Sequence, residues 1–207
     1  MGVVRGRVVP STRLSLEVQK MAWLIIVTGP PASGKSTLAT WLGQQLSLPV
    51  IGKDGIKEIM FAEMGWQDRE WSKLLGRASV EIMYHLAHTL LGANTSLILE
   101  NAFHPELASP KLQTIIQQHQ ARAIQIICQA PAELLFQRFR QRAETGQRHE
   151  GHVDLSSLAE LQASLQPQRP VQLQIEGSVI PVDTTDFAMV AYETILEQVS
   201  RLMNDGR

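Results

Sequence analysis

The sequence predicts an α/β fold of three layers, with helices on both faces of a five-stranded parallel sheet. Three observations predict it. Short apolar runs alternate with helix-patterned segments along most of the chain, as in parallel sheets covered on both sides. The first run, Trp23-Leu24-Ile25-Ile26-Val27, leads into Gly29-Pro30-Pro31-Ala32-Ser33-Gly34-Lys35-Ser36, which completes the pattern G-x-x-x-x-G-K-[ST]. Helix-compatible residues, Thr37-Leu38-Ala39-Thr40-Trp41-Leu42, follow at once. A buried strand, a glycine turn and a helix N-terminus aimed at an anion form the context this phosphate loop requires. The fold class is therefore α/β/α of the P-loop NTPase kind.

The elements follow in order. The first strand is Leu24 to Thr28, and the helix after the loop runs to about Leu46. Pro49 opens a short strand at Val50-Ile51. A long helical region spans Gly55 to about Leu91 with a break at Gly65, and within it Leu75, Ala78, Ile82, Leu86 and Leu90 keep helical spacing. Ser96 to Glu100 reads as a buried strand ending in an acid. Pro110 to Gln120 is expected to be a helix and Ala123 to Cys128 the fourth strand. Pro131 suits the first position of a helix over Ala132 to Ala143. Glu144 to Asp154 is polar with two glycines and reads as a loop, followed by a short helix over Leu155 to Leu165. Val179 to Asp183 is the last strand, and its Pro181 suits a sheet edge. Phe187 to Met203 closes the fold as a helix. Residues 1–20 carry Arg5, Arg7, Arg13 and Lys20 with little periodicity and read as a poorly ordered leader; 21–207 read as one domain.

Composition narrows the function. At 207 residues there is room for one α/β domain. Nineteen Lys and Arg against 20 Asp and Glu give a formal net charge of -1, and aromatics make up 5%. Neither favours nucleic acid as a partner. No segment approaches the ~20 apolar residues that span a bilayer. Cys128 stands alone, so no internal disulfide forms, and a reducing, cytoplasmic setting is expected.

The candidate site lies beyond the carboxyl ends of the strands, where open parallel sheets bind ligands. Gly29 and Gly34 allow backbone to approach phosphate closely. With Pro30, Pro31, Ala32, Ser33 and Thr37 they form the nucleotide cradle. Lys35 can reach the β- and γ-phosphates, and Ser36 can coordinate Mg²⁺. Asp54, after the second strand, is a candidate general base for an acceptor hydroxyl, or an N-cap for the helix starting near Gly55. Lys53 beside it is read equally as a substrate contact or a solvated charge. Glu100 is a candidate for the Mg²⁺ shell, with a substrate-binding acid or a strand-end carboxylate as alternatives. Arg138 and Arg142 share a helix face and, with Arg148 in the loop beyond, can close over a triphosphate; Arg140 points elsewhere and reads as solvated. His149 and His152 lack the further ligands a zinc site needs.

The phosphate loop G-P-P-A-S-G-K-S-T, the Lys53-Asp54 pair and R-F-R-Q-R-A-E-T-G-Q-R-H-E-G-H at 138–152 together resemble small P-loop kinases. The resemblance covers roughly residues 22–203. It points to a predicted-kinase group related to polynucleotide 5′-hydroxyl kinase, chloramphenicol phosphotransferase and zeta-type toxins. It implies a nucleoside-monophosphate-kinase-like sheet and a lid at about 132–165 bearing Arg138, Arg142 and Arg148. It further implies ATP and Mg²⁺ as cofactors, Asp54 as the base, and Asp183 and Thr184 near the adenine. The expected activity is transfer of the γ-phosphoryl of ATP to a small-molecule hydroxyl. Phosphorylation of polynucleotide 5′-hydroxyls and a nucleotide-dependent switch without an acceptor are the alternatives.

Overall fold

The computed structural model describes residues 21–146, 148–165 and 172–205. The leader expected over 1–20 lies outside the described residues. Strands β1 (Trp23–Thr28), β2 (Val50–Gly52), β3 (Leu97–Glu100), β4 (Arg122–Gln129) and β5 (Ser178–Asp183) form one sheet in the order β2-β3-β1-β4-β5. Every adjacent pair is parallel.

Side-chain alternation along β1 builds two cores from one strand. Leu24 and Ile26 face a layer made by Met83, Ala87 and Leu91 of α3 (Arg69–Gly92) and Leu112 and Ile116 of α4 (Pro105–Gln118). Trp23, Ile25 and Val27 face the opposite layer, which holds Leu38 and Leu42 of α1 (Lys35–Leu46) and Ile195 and Val199 of α7 (Tyr192–Asp205). All six β1 residues are buried, which explains a continuous apolar run instead of alternation. One polar residue sits inside the sheet. Gln125 is fully buried, and both ends of its amide are paired with the backbone of Leu173, which ties the irregular segment before β5 to the core.

The remaining elements lie past the carboxyl ends of the strands. Helix α2 (Lys53–Met64) starts directly on β2 and packs along α3, with Gly65 ending it as expected. Helix α5 (Ala132–Glu144) leads through a 3-10 turn at Glu150–His152 and another at Asp154–Ser157 into α6 (Leu158–Ser164). β5 is an edge strand, where Pro181 leaves no inner neighbour short of a donor.

Four expectations need correction. Helix α4 starts at Pro105, five residues before the proline taken as its opening; Pro105 occupies the first turn, and Pro110 lies inside the helix. Pro131 sits at the N-cap with extended ψ instead of in the first turn. The segment expected as a featureless loop at 144–154 contains a 3-10 turn with Gly151 and His152 buried. The last helix begins only at Tyr192, because Phe187–Met189 forms a separate 3-10 turn capped by Asp186.

Candidate active site

The turn between β1 and α1 is shaped by three residues at positive φ. Gly29 has φ 150, and a Cβ there would lie 2.4 Å from the Cys128 carbonyl oxygen, so no other residue fits. Gly34, at φ 78, is the left-handed N-cap of α1. Ala32, at φ 63, holds the same conformation without glycine's freedom, at a cost of roughly 1–2 kcal/mol. Such turns gather backbone N–H groups into a concave anion-binding nest. The Ser33 hydroxyl is fully buried with no hydrogen-bond partner. Lys35 is mostly buried, with only the Pro30 carbonyl at 3.3 Å and Glu100 Oε1 at 3.9 Å near its ammonium. Burial lowers its pKa, and Glu100 and Asp54 oppose that shift. An orphaned hydroxyl, a nest and a weakly paired buried lysine fit a bound polyphosphate.

Glu100 ends β3 beside Lys35 and is 6% exposed. Burial raises its pKa, while Lys35 and a hydrogen bond from the Ser36 hydroxyl partly offset that. Gly52 at the end of β2 makes this approach possible, since a Cβ there would stand 3.2 Å from Glu100 Oε2. Ser36 and Glu100, expected at the metal, therefore lie close together, and their oxygens suit a hard cation.

Asp54 is not an N-cap. Helix α2 begins one residue earlier, with Gly52 at the cap and no side-chain cap, which puts Asp54 in the first turn. Its Oδ2 instead receives Arg148 Nη2 at 2.5 Å. Arg148 Nη1 donates to both oxygens of Asp154, at 2.9 and 3.1 Å, and Nη2 also donates to His152 Nδ1 at 2.8 Å. His152 Nε2 then donates to Glu58 Oε1 at 2.9 Å, one turn along α2 from Asp54. Burial disfavours ionisation of Asp54, but the surrounding charges, Arg148 foremost, override it and hold the carboxyl at about 2. His152 is pushed down to about 3 by burial and then by Arg148, so its ring is neutral. The neutral ring can accept from Arg148 and donate to Glu58 at once.

The other expected arginines divide. Arg142 is half-buried on α5, its Nε has no partner, and Nη2 lies 3.7 Å from Asp154. Arg138 is committed elsewhere: its two terminal nitrogens donate to the carbonyls of Thr184 and Thr185, both at 2.8 Å, and its guanidinium lies 3.8 Å from the Phe187 ring centre. Phe187 in turn packs against Gly34, so Arg138 is linked to the phosphate loop through that ring. Thr184 is buried and bonds the end of β4 through Gln129, whereas Asp183 is exposed and caps Thr185. Beside them a cavity of about 500 Å³ opens at Gln129, Ala130, Pro181 and Asp183. Arg140 is exposed and pairs with Glu144 on its own helix, as a solvated charge does.

Residues 24–168 match the family model described as AAA domain. The chain belongs to the AAA domain family. Within the AAA domain family's shared architecture, this chain is 37% identical to a candidate kinase from Chloroflexus aurantiacus j-10-fl, with a TM-score of 0.81 over 88% of this chain and 98% of that one. Kti12 from Chaetomium thermophilum, solved with ADP-AlF3, is 16% identical, with a TM-score of 0.60 over 87% and 98% of the two chains. A sugar kinase from Janibacter sp. HTCC2649 is also 16% identical, with a TM-score of 0.53 over 89% and 95%. No curated protein matches. The AAA-domain chain thus has a P-loop kinase-like fold suited to nucleotide-dependent phosphoryl transfer, and among its described residues no helix is long and apolar enough to cross a membrane.

Several residues of this AAA-domain site escaped the sequence. Lys57 is 4% exposed and donates to the Ser72 hydroxyl at 2.7 Å. Glu58, His152 and Asp154 complete the Arg148 cluster. Four-residue spacing puts Asp54 and Glu58 on one face of α2, a legible signal. The pairing of that face with residues 148–154 is a long-range contact that no local pattern carries.

Proposed function

We propose that this chain is an ATP-dependent kinase that moves the γ-phosphoryl group onto a hydroxyl of a small-molecule acceptor. One observation carries the reading. Asp54 stands at the carboxyl edge of the sheet, close enough to Lys35 and Glu100 to be coupled to both, and is held by an arginine arriving from the segment after α5. A nucleotide cradle alone serves a switch equally well, whereas a carboxylate poised opposite it serves an incoming alcohol.

Gly29, Pro30, Pro31, Ala32, Ser33, Gly34 and Thr37 would hold the phosphates through backbone N–H groups and hydroxyls. Lys35 neutralises charge at the transferred group. Ser36 and Glu100 would hold Mg²⁺, which when bound draws charge from the phosphate oxygens. Asp183, Thr184 and the adjacent cavity take the base, with Arg138 fixing that turn through its carbonyls. Asp54 accepts the hydrogen bond of the acceptor hydroxyl and takes its proton as the bond to the γ-phosphorus forms and the bond to the β–γ bridging oxygen breaks, releasing ADP. While Arg148 is paired with it, the carboxyl is held near 2 and is a weak base. Departure of Arg148 removes the foremost lowering charge and strengthens the base for the acceptor's proton. Residues 132–165 act as the lid. Arg148 leaves Asp54 for the phosphoryl oxygens as acceptor and nucleotide enter, and Arg142, with its free Nε, joins it.

Membership in the finer group related to polynucleotide 5′-hydroxyl kinase, chloramphenicol phosphotransferase and zeta-type toxins, and a cytoplasmic setting with Cys128 as an inert buried thiol, belong to the same proposal. The test is label transfer from γ-labelled ATP-Mg²⁺ to a pool of nucleosides, sugars, amino alcohols and antibiotics, in parallel with 5′-hydroxyl oligonucleotides. Label in the small-molecule pool that disappears in Asp54→Asn is the expected result. Label in the oligonucleotides replaces the acceptor class, and label in neither pool despite tight ATP binding overturns the kinase reading in favour of a switch.

A further inference from the structure

Two lysines on the acceptor side of the site form no ion pair with a carboxylate among the described residues. Lys53 and Lys57 are four residues apart on α2 and so share a face. That face is turned to α3 at Gly76, where a Cβ would stand 3.5 Å from Lys53 Cε and 3.8 Å from Lys57 Cε. The absent side chain leaves a shallow floor across which both lysine stems lie. Lys57 is 4% exposed, and its hydrogen-bond acceptor is the neutral Ser72 hydroxyl. Lys53 is half-buried and makes no hydrogen bond or ion pair among the described residues.

The carboxylates that could serve them are taken. Asp54 is bound by Arg148, Glu58 by His152, and Glu160 by Arg69 and Lys73. Burial lowers the pKa of each, Lys57 to about 8. Asp54 attracts both lysines and Glu100 attracts Lys53 from beyond ion-pair distance, but Arg148 and Arg69 oppose them and the lowering stands. A buried cation needs an anion or goes neutral. Lys53 adjoins Asp54 in sequence, so the missing anion belongs within one residue's reach of the proposed base.

We infer that the acceptor carries an anionic group, a carboxylate or a phosphate, close to the hydroxyl that is phosphorylated, and that Lys53 binds this group with Lys57 reinforcing it from behind. The inference rests on the kinase reading above. It assigns the substrate class to small anionic alcohols, such as hydroxy acids or phosphorylated polyols. Lys35 serves the nucleotide; Lys53 and Lys57 serve the acceptor.

The test measures binding to the full chain saturated with AMPPNP-Mg²⁺, which fills the phosphate loop so that an added anion cannot occupy it. The probes are glycerate against glyceramide, and glycerol 3-phosphate against glycerol, which separate carboxylate from phosphate and charge from shape. At least one charged probe is expected to bind tenfold or more tightly than its neutral partner. Lys53→Gln should abolish that preference and Lys53→Arg restore most of it. The inference is overturned if charged and neutral probes bind alike, if none binds, if the preference survives in Lys53→Gln, or if Lys53→Gln weakens AMPPNP instead. The kinase reading is judged separately, by γ-label transfer and its loss in Asp54→Asn. Transfer to neutral alcohols with no charge preference would sink the inference and leave the kinase standing.

Discussion

Arg148 spans 2.5 Å to Asp54 on α2 while gripping Asp154 with its other terminal nitrogen, so one guanidinium joins the proposed base to the proposed lid. A carboxylate paired with arginine is a weaker base toward a hydroxyl, and an arginine bound to carboxylates has less charge to offer a phosphoryl group. In the proposed mechanism the contact is a resting arrangement that acceptor and nucleotide separate.

Asp54→Asn removes the proton acceptor but keeps an amide oxygen for Arg148. Phosphoryl transfer should fall by about 10²–10⁴-fold. Nucleotide affinity, set by the loop at 29–37, should hold. Single-turnover transfer alongside equilibrium nucleotide binding separates the two effects.

Arg148→Lys should fail to rescue. An ammonium is a point charge and cannot bridge Asp54, Asp154 and His152 as a planar fork does. A fall in kcat of about 10²-fold is expected, as for a lost transition-state donor. Equal kcat in Arg148→Lys and wild type would show that the fork geometry is idle in catalysis.

Ser36→Ala and Glu100→Gln should each raise the Mg²⁺ needed for half-maximal transfer, by about 10–100-fold. The Ser36 hydroxyl lies near the buried Glu100 carboxylate and opposes its upward shift. Titrating Mg²⁺ at fixed ATP reads the shift, and excess chelator should abolish transfer in every variant.

His152 makes stability depend on pH. The ring is held neutral down to about 3 in the folded chain, while in the unfolded chain it titrates near its ordinary 6.5. The unfolded state therefore gains a proton first as pH falls, and stability declines from about pH 6.5 toward 3 by at most about 1.4 kcal/mol per pH unit. Asp54 adds almost nothing in the upper part of this window, because its own loss sets in only as pH falls toward its ordinary 3.8, from about pH 5. His152→Gln, which can still donate to Glu58 and accept from Arg148, should flatten the decline between pH 6.5 and 4.5 in urea unfolding. An unchanged slope would assign the pH dependence to other groups.

Local pattern was enough where one segment decides its own structure. The all-apolar β1, the glycines at 29 and 34 and the proline of an edge strand state their geometry through sterics and burial, which act within a few residues. Pro110 misled because a proline inside a helix and one that opens it look alike in sequence; Pro105, five residues earlier, already supplied the start. Asp54 misled in its capping role for a related reason. Position after a strand and before a helix suits a cap, and only the arrival of Arg148, 94 residues away, shows what the carboxylate binds.

The sequence by itself determined the phosphate loop and the parallel sheet, since these follow from steric rules and hydrophobic periodicity. Tertiary structure alone decided which charges meet. It set Arg148 on Asp54, turned Arg138 to the carbonyls of Thr184 and Thr185, neutralised His152 and left Lys53 and Lys57 without an ion pair among the described residues. Ionic partnership depends on distance and burial between segments remote in the chain, and neither quantity is written in local order.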